Sequence, residues 1–339
     1  MKRKVLAFGM AVLLLLSGCA QSVSEEPKRY EASFLTLFDT VTTIIGYAES
    51  EEAFREMAQT IHDELLVYHQ LYDIYNDYPD VNNLKTINDM AGKEAVEVDE
   101  RIIDLLLFCK EMEEATGGVV NVAMGSVLRL WHDARTAAVN GGEAALPDVA
   151  ALQEAAKHTD LDAVIIDEAA STVYLSESEL RLDVGAVAKG YAVERVCQNA
   201  PEGLLVSVGG NVCATGAKPD GEPWVVGVQD PDGDGNLHTL YTETDSVVTS
   251  GDYQRYYTVE GVAYHHIIDP DTLLPGDKWR AVTVLCGDSG VADALSTALF
   301  LLPQGKGKAL LERFDAEAMW LDRDGNEYFS AGFEERLRS

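Results

Sequence analysis

The apolar positions change period along the chain, and the changes divide it into elements. Residues 34–47 (FLTLFDTVTTIIGY) are dense in β-branched and aromatic side chains, which predicts a strand or a bent strand pair. From 50 to 71, Phe54, Met57, Ile61, Leu65 and Tyr68 recur at helical spacing, the apolar face of an amphipathic helix. A second helix is expected over 99–115, stopped by Thr116-Gly117-Gly118. A strand-like VVNVA (119–123), a helical stretch through Trp131, a loop at Asn140-Gly141-Gly142 and a short helix over 147–157 follow. Strands are then expected near 163–167, 172–175 and 180–184, a helix over 188–199, and many strands with glycine turns. Helices over 291–302 and 305–314 and a hairpin at Asp324-Gly325 close the chain. Strands and helices alternate without regular βαβ spacing, which predicts an intertwined α+β domain rather than a doubly wound sheet.

The first residues break this pattern. Lys2, Arg3 and Lys4 precede an apolar run over 5–16 and then Leu16-Ser17-Gly18-Cys19. That order is expected of a bacterial lipoprotein signal, with a basic start, a short apolar segment and small residues before a cysteine that accepts lipid. The apolar run is shorter than the ~20 residues of a transmembrane helix. Residues 1–18 are therefore expected to be removed, 19–31 to form lipidated Cys19 and a polar tether, and 32–335 to form the domain. The expected location is a membrane surface outside the cytoplasm, reached through the lipid anchor.

Charge narrows the choice of partner. With 26 basic and 57 acidic residues the net charge is −31, which repels nucleic acid and anionic headgroups and excludes nucleic acid as an expected partner. An anionic substrate must be met by a local cation or metal. Cys109, Cys197, Cys213 and Cys286 are widely spaced among apolar residues and read as buried thiols.

Three segments could carry chemistry. In RLDVGAVAKGYAVER (181–195) a strand, a glycine turn and a helix succeed one another, and such a helix start offers free N–H groups to an anion. Gly185 and Gly190 have the spacing of phosphate-loop glycines, but Tyr191 and Ala192 stand where Lys and Ser/Thr are required, so that reading fails. A plainer reading has Asp183 capping the helix, which leaves Lys189 unexplained. In Tyr264-His265-His266, adjacent strand residues point to opposite faces, so at most one histidine faces a site; a lone inward histidine is ordinary core, though its pKa suits general-base work. Asp293 and Thr297 share one face of an apolar helix; their oxygens suit a hard cation such as Mg²⁺, or else a helix dipole and a backbone bond. Asp230-Pro-Asp232-Gly-Asp234-Gly235 opens like a calcium loop, but Tyr241 holds the position that needs Glu, so a hairpin turn is expected. Gly209-Gly210-Asn211 is likewise expected to be a turn.

Taken in order, LDVGAVAKGYAVERV, SVGGNV, SGDYQRYY, HHIIDP and ADALSTALFLLP resemble the ApbE family of FAD:protein FMN transferases, over residues 38–320. The resemblance implies a single ApbE-like, T-fold-related α+β domain and an enzyme that, with Mg²⁺, moves FMN from FAD onto a Thr or Ser hydroxyl of a flavoprotein, releasing AMP. It implies that Asp293, Thr297 and the carbonyl of Ala186 hold Mg²⁺, and that Asp183, Lys189 and Ile267 contact FAD. Phe38, at the family's Met-Gly-Thr position, Tyr75, and Val119, Val120 and Asn121, at its Ala-Phe-Asp position, are further FAD contacts. His266 is the expected base and Asp293 the catalytic metal ligand. The expected acceptor is a flavoprotein of a membrane or extracytoplasmic electron-transport system. Rival readings are an Mg²⁺-dependent FAD pyrophosphatase, with water in place of the hydroxyl, and a non-catalytic flavin-binding lipoprotein. If Cys19 carries the lipid, a Cys19→Ser variant stays active in solution but leaves the membrane fraction on cell fractionation; retention in that fraction sinks the lipidation assignment.

Overall fold

The computed structural model describes residues 26–338, so the expected signal sequence (1–18) and Cys19 lie outside the described residues. In chain order the elements are β1 (Lys28–Leu37), β2 (Thr40–Ala48), α1 (Glu51–Tyr72), α2 (Leu84–Asp89), β3 (Val96–Glu97), α3 (Glu100–Thr116), α4 (Gly125–Val139) and α5 (Val149–Ala155). Then come β4 (Val164–Asp167), β5 (Thr172–Leu175), α6 (Ala188–Cys197), β6 (Leu204–Val208), β7 (Asn211–Ala214), β8 (Trp224–Gln229) and β9 (Asn236–Thr242). The last are β10 (Ser246–Gly251), β11 (Tyr256–Val259), β12 (Val262–His265), β13 (Ala281–Cys286), α7 (Ser289–Leu301), α8 (Gln304–Leu311), β14 (Glu317–Leu321) and β15 (Glu327–Phe329).

An eight-stranded sheet in the order β1-β2-β6-β7-β10-β13-β14-β15 is antiparallel at every pairing. Period-two alternation sends neighbouring residues into different cores. Val206, Val248 and Val284 pack with Phe54 of α1, Val193 of α6 and Leu295 of α7. Leu205, Val247 and Leu285, one residue away in each strand, pack instead with Trp224, Val226 and Leu240 of the β8–β9 hairpin and with Phe333. Covered on both faces, β13 is buried at all six positions. A third cluster joins Trp131 of α4 to Tyr257 and Ile268, and Trp131 Nε1–H donates to the carbonyl of Leu273 at 3.1 Å. The α+β class and a single domain are as expected.

Several local expectations change. The tether drawn to residue 31 overlaps β1, because Lys28 to Glu31 already pair with Ala48 to Ile45. The strand pair over 34–47 is a tight hairpin whose turn residues, Phe38 and Asp39, both take positive φ (52° and 53°). Residues 119–123 form no strand: Val120 N–H donates to Thr116 Oγ1, and Asn121 turns the chain by accepting from Ala123 N–H and donating to Thr159 O. Nor does 180–184 join a sheet. Leu182 is held by the buried side chain of Asn88, which accepts its N–H at 2.7 Å and donates to its carbonyl at 2.9 Å. Arg181 meets Met124 in an isolated bridge. The acidic loop is the expected hairpin turn, closed by Asp230 N–H to Gly235 O. All four described cysteines are buried free thiols.

α6 and α7 cross at very short range. A Cβ on Gly190 would lie 2.2 Å from the Ser289 carbonyl oxygen and 2.5 Å from Asp293 Cβ, so only glycine permits the approach. Glu194 of α6, buried, reinforces the crossing by accepting the first N–H of α7, at Ser289, at 2.7 Å. Gly190→Ala is expected to cost about 1–3 kcal/mol through overpacking. Gly305→Ala, in α8 with nothing near its Cβ, should be neutral or stabilising by up to about 1 kcal/mol. Urea midpoints for the two variants check this; equal midpoints would mean the helices part without cost.

Candidate active site

A cavity of about 850 Å³ opens where the β1–β2 turn, the loop after α1, α4, the 183–189 segment, β10 and α7 meet. Phe38, Tyr75, Val119, Val120, Asn121, Asp183, Ala186, Lys189, His266, Ile267, Asp293 and Thr297 all line it. Phe38 and Leu301, 263 positions apart in sequence, thus face one space.

The 183–190 segment is built around two carboxylates. Asp183 does not cap α6. Its Oδ1 accepts from Gly185 N–H at 2.9 Å, which turns the chain two residues before the helix cap at Val187. Val187 brings no side-chain cap, and the orphan N–H of Gly190 in the first turn is taken by Asp293 Oδ2 from α7, at 2.9 Å. Lys189 Nζ lies 3.6 Å from the same oxygen and 3.4 Å from the Gly185 carbonyl. Asp293 is 4% exposed, and among the described residues no donor bonds its Oδ1. One carboxylate with a spare oxygen, the Thr297 hydroxyl and the Ala186 carbonyl make a hard-oxygen set around the cavity. No group of three or more His, Cys, Asp or Glu able to hold a metal occurs among the described residues. Carboxylate, hydroxyl and carbonyl oxygens are donors of the kind Mg²⁺ takes, and none is the thiolate or imidazole that zinc prefers.

The two histidines face different ways, although only His265 lies in β12 and His266 follows its end. His265 is structural: buried, it meets the Gly276 carbonyl through Nε2 at 2.8 Å, accepts Ile267 N–H at Nδ1, and packs edge-on against Phe300. His266 faces the cavity, with Nδ1 3.3 Å from the Arg255 carbonyl. A carbonyl only accepts, so the proton sits on Nδ1 and Nε2 keeps its lone pair. Burial first, then the Arg255 charge, push the His266 pKa down to about 3, so the ring is neutral near pH 7. The Asn121 amide donates to the Thr159 carbonyl and accepts from Ala123 N–H, which fixes its orientation at the cavity wall.

Several lining residues escaped the sequence reading. Arg135 of α4 and Arg255 bring positive charge to the cavity without an ion-pair partner among the described residues, and Arg135 Nε is buried without a hydrogen bond. His69 accepts Phe38 N–H at 3.2 Å and so fixes the β1–β2 turn. His132 bonds Tyr75. Arg255 lies inside the SGDYQRYY segment, the one signal available; His132 and Arg135 read as the solvent face of an amphipathic helix. Asn211, expected in a turn, starts β7 after Gly209 and Gly210 at positive φ and lines the cavity at 2% exposure.

Comparison with known proteins gives the family of the chain. A chain from Treponema pallidum named FAD:protein FMN transferase is 35% identical over 280 residues, covering 76% of each chain. One of the same name from Klebsiella pneumoniae is 32% identical over 277 residues, covering 78% of this chain and 84% of its own. The crystal structure of the ApbE protein of Thermotoga maritima superposes with a TM-score of 0.82 at 30% identity, over 92% of this chain and all of that one. The sequence model of the ApbE family matches residues 38–320, which include every residue placed in the cavity above, and the chain belongs to that family.

Proposed function

We propose that this protein is an FAD:protein FMN transferase, which moves FMN from FAD to a Thr or Ser hydroxyl of an exported or membrane flavoprotein and releases AMP. The observation that carries the reading is the convergence of Asp293, Thr297, Ala186, Lys189 and His266 on one cavity large enough for a dinucleotide. The relatives from Treponema pallidum and Klebsiella pneumoniae bear that name.

Each residue then has a task. Asp293, Thr297 and the Ala186 carbonyl would hold Mg²⁺, which when bound supplies Lewis-acid neutralisation of the pyrophosphate. Lys189, Arg135 and Arg255, which line the cavity alongside four aspartates, would pair with the phosphates and neutralise charge at the leaving phosphate. The acceptor hydroxyl gives its proton to Nε2 of His266 as its oxygen bonds the FMN-side phosphorus. The bond from that phosphorus to the bridging oxygen breaks, and AMP departs with the oxygen. The pyrophosphate beside the imidazole raises its basicity when substrate binds. Phe38, Tyr75, Ile267, Asp183 and the Val119-Val120-Asn121 backbone would seat the dinucleotide. The lipid anchor at Cys19 would place the enzyme on the outer face of a membrane, where sharing a surface with the acceptor raises its effective concentration.

With FAD, Mg²⁺ and an acceptor flavoprotein, in-gel flavin fluorescence and released AMP are expected together. AMP and free FMN without labelling mean a pyrophosphatase, and neither product means a binder. His266→Ala should lose roughly 10²–10⁴-fold in transfer rate while still binding FAD. Asp293→Asn should lose at least about 10²-fold, with folding kept because the amide oxygen still caps Gly190.

The pH behaviour has a sign. The folded-state pKa of His266 lies below its ordinary 6.5, so its contribution to stability is present above pH 6.5 and is lost as pH falls toward 3. NMR of the ligand-free protein should show the His266 ring neutral from pH 8 to pH 5. A midpoint near 6.5 would show a solvated ring.

A further inference from the structure

Tyr75, on the loop between α1 and α2, is 58% exposed, yet its side chain is already held. Its hydroxyl bonds Nδ1 of His132 at 2.7 Å, with ring centroids 6.0 Å apart. His132 follows Trp131, whose burial and bond to the Leu273 carbonyl fix the rotation of α4, so that the histidine turns to the cavity. A phenol that donates to Nδ1 puts the proton of a neutral imidazole on Nε2. That nitrogen faces Asp183 Oδ2 at 4.0 Å, a carboxylate that favours this tautomer.

Both ends of the bridge are anchored to backbone. Tyr75 N–H donates to Oδ1 of Asp73 at 2.6 Å, and the buried Asp73 carboxylate also accepts from the Tyr78 hydroxyl and the Asn76 amide. Asp183 is fixed by Gly185 N–H. Tyr75 and His132 therefore line the cavity as a bonded pair, with Asp73 holding the backbone at one end and Asp183 facing the other.

We propose that His132 is a positioning residue, holding the Tyr75 ring over the cavity as a preformed clamp for a planar ring of the bound dinucleotide. This rests on the FAD-binding reading above. An exposed tyrosine ordered only by its ligand would charge its lost rotamer freedom to binding; the bond to His132 removes that cost beforehand. Because the bridge exists before substrate arrives, its loss falls on FAD affinity and KM rather than on the chemical step.

The test is a double-mutant cycle read by FAD titration without acceptor, with steady-state kinetics and ligand-free melting alongside. Tyr75→Phe, which removes only the hydroxyl, and His132→Ala should each weaken FAD binding roughly three- to ten-fold, and the double variant no further. His132→Asn, whose amide oxygen stands near the place of Nδ1, should restore affinity to within about two-fold, whereas His132→Gln, which reaches toward the place of Nε2, should not. Losses that multiply in the double variant, or an asparagine variant as weak as the alanine one, overturn the clamp. Unimpaired binding by all the variants overturns the clamp alone. A wild-type protein that binds no FAD overturns the functional reading and the clamp with it.

Discussion

The contact between α6 and α7 at Gly190 and Asp293 is the constraint on which the site depends. The absent side chain of Gly190 lets the two helices approach until the Asp293 carboxylate reaches the first turn of α6. There it does what the cap residue Val187 cannot, satisfying an orphan N–H with a charge that the helix dipole favours. One oxygen, Oδ2, is thereby committed to structure with Lys189 3.6 Å from it, and Oδ1 takes no hydrogen bond among the described residues. Folding and chemistry use the same side chain, so the carboxylate is oriented before any ligand arrives.

Electrostatics around this contact are mixed, since Lys189, Arg135 and Arg255 share the cavity with Asp39, Asp73, Asp183 and Asp293. A chain of net charge −31 would repel a dinucleotide, yet Lys189, Arg135 and Arg255 all line the one cavity. With four carboxylates in the same lining, the cations act locally on the phosphate oxygens they reach and not as a field that gathers anions. The same surroundings keep His266 neutral, since burial and the Arg255 charge both oppose a second positive form.

The β1–β2 turn shows strain stored at the cavity rim. Two-residue turns of this kind favour Asn-Gly, whereas Phe38 and Asp39 occupy them here at positive φ, each at a cost of about 1–2 kcal/mol. His69 holds the strained backbone in place, accepting Phe38 N–H while its ring meets the Phe38 ring edge-on at 5.4 Å. The gain is an aromatic side chain at the rim, where the usual turn residues would offer none.

Sequence by itself determined the elements whose periodicity is local: the amphipathic α1, the glycine-stopped α3, the apolar α7 and the acidic hairpin turn between β8 and β9. It also marked Asp183, Lys189, His266, Asp293 and Thr297, because ordered motif segments carry their own context. Only the tertiary structure decided that 119–123 and 180–184 are not strands, since the groups that take their hydrogen bonds include Thr116 and Asn88, the latter 94 residues from Leu182. It alone tied His265 to the Gly276 carbonyl, assigned Asp293 rather than Asp183 to cap α6, and turned His132 and Arg135 inward. Local pattern records which face of an element is apolar, but a polar side chain facing a cavity and one facing water leave the same trace until distant segments close around it.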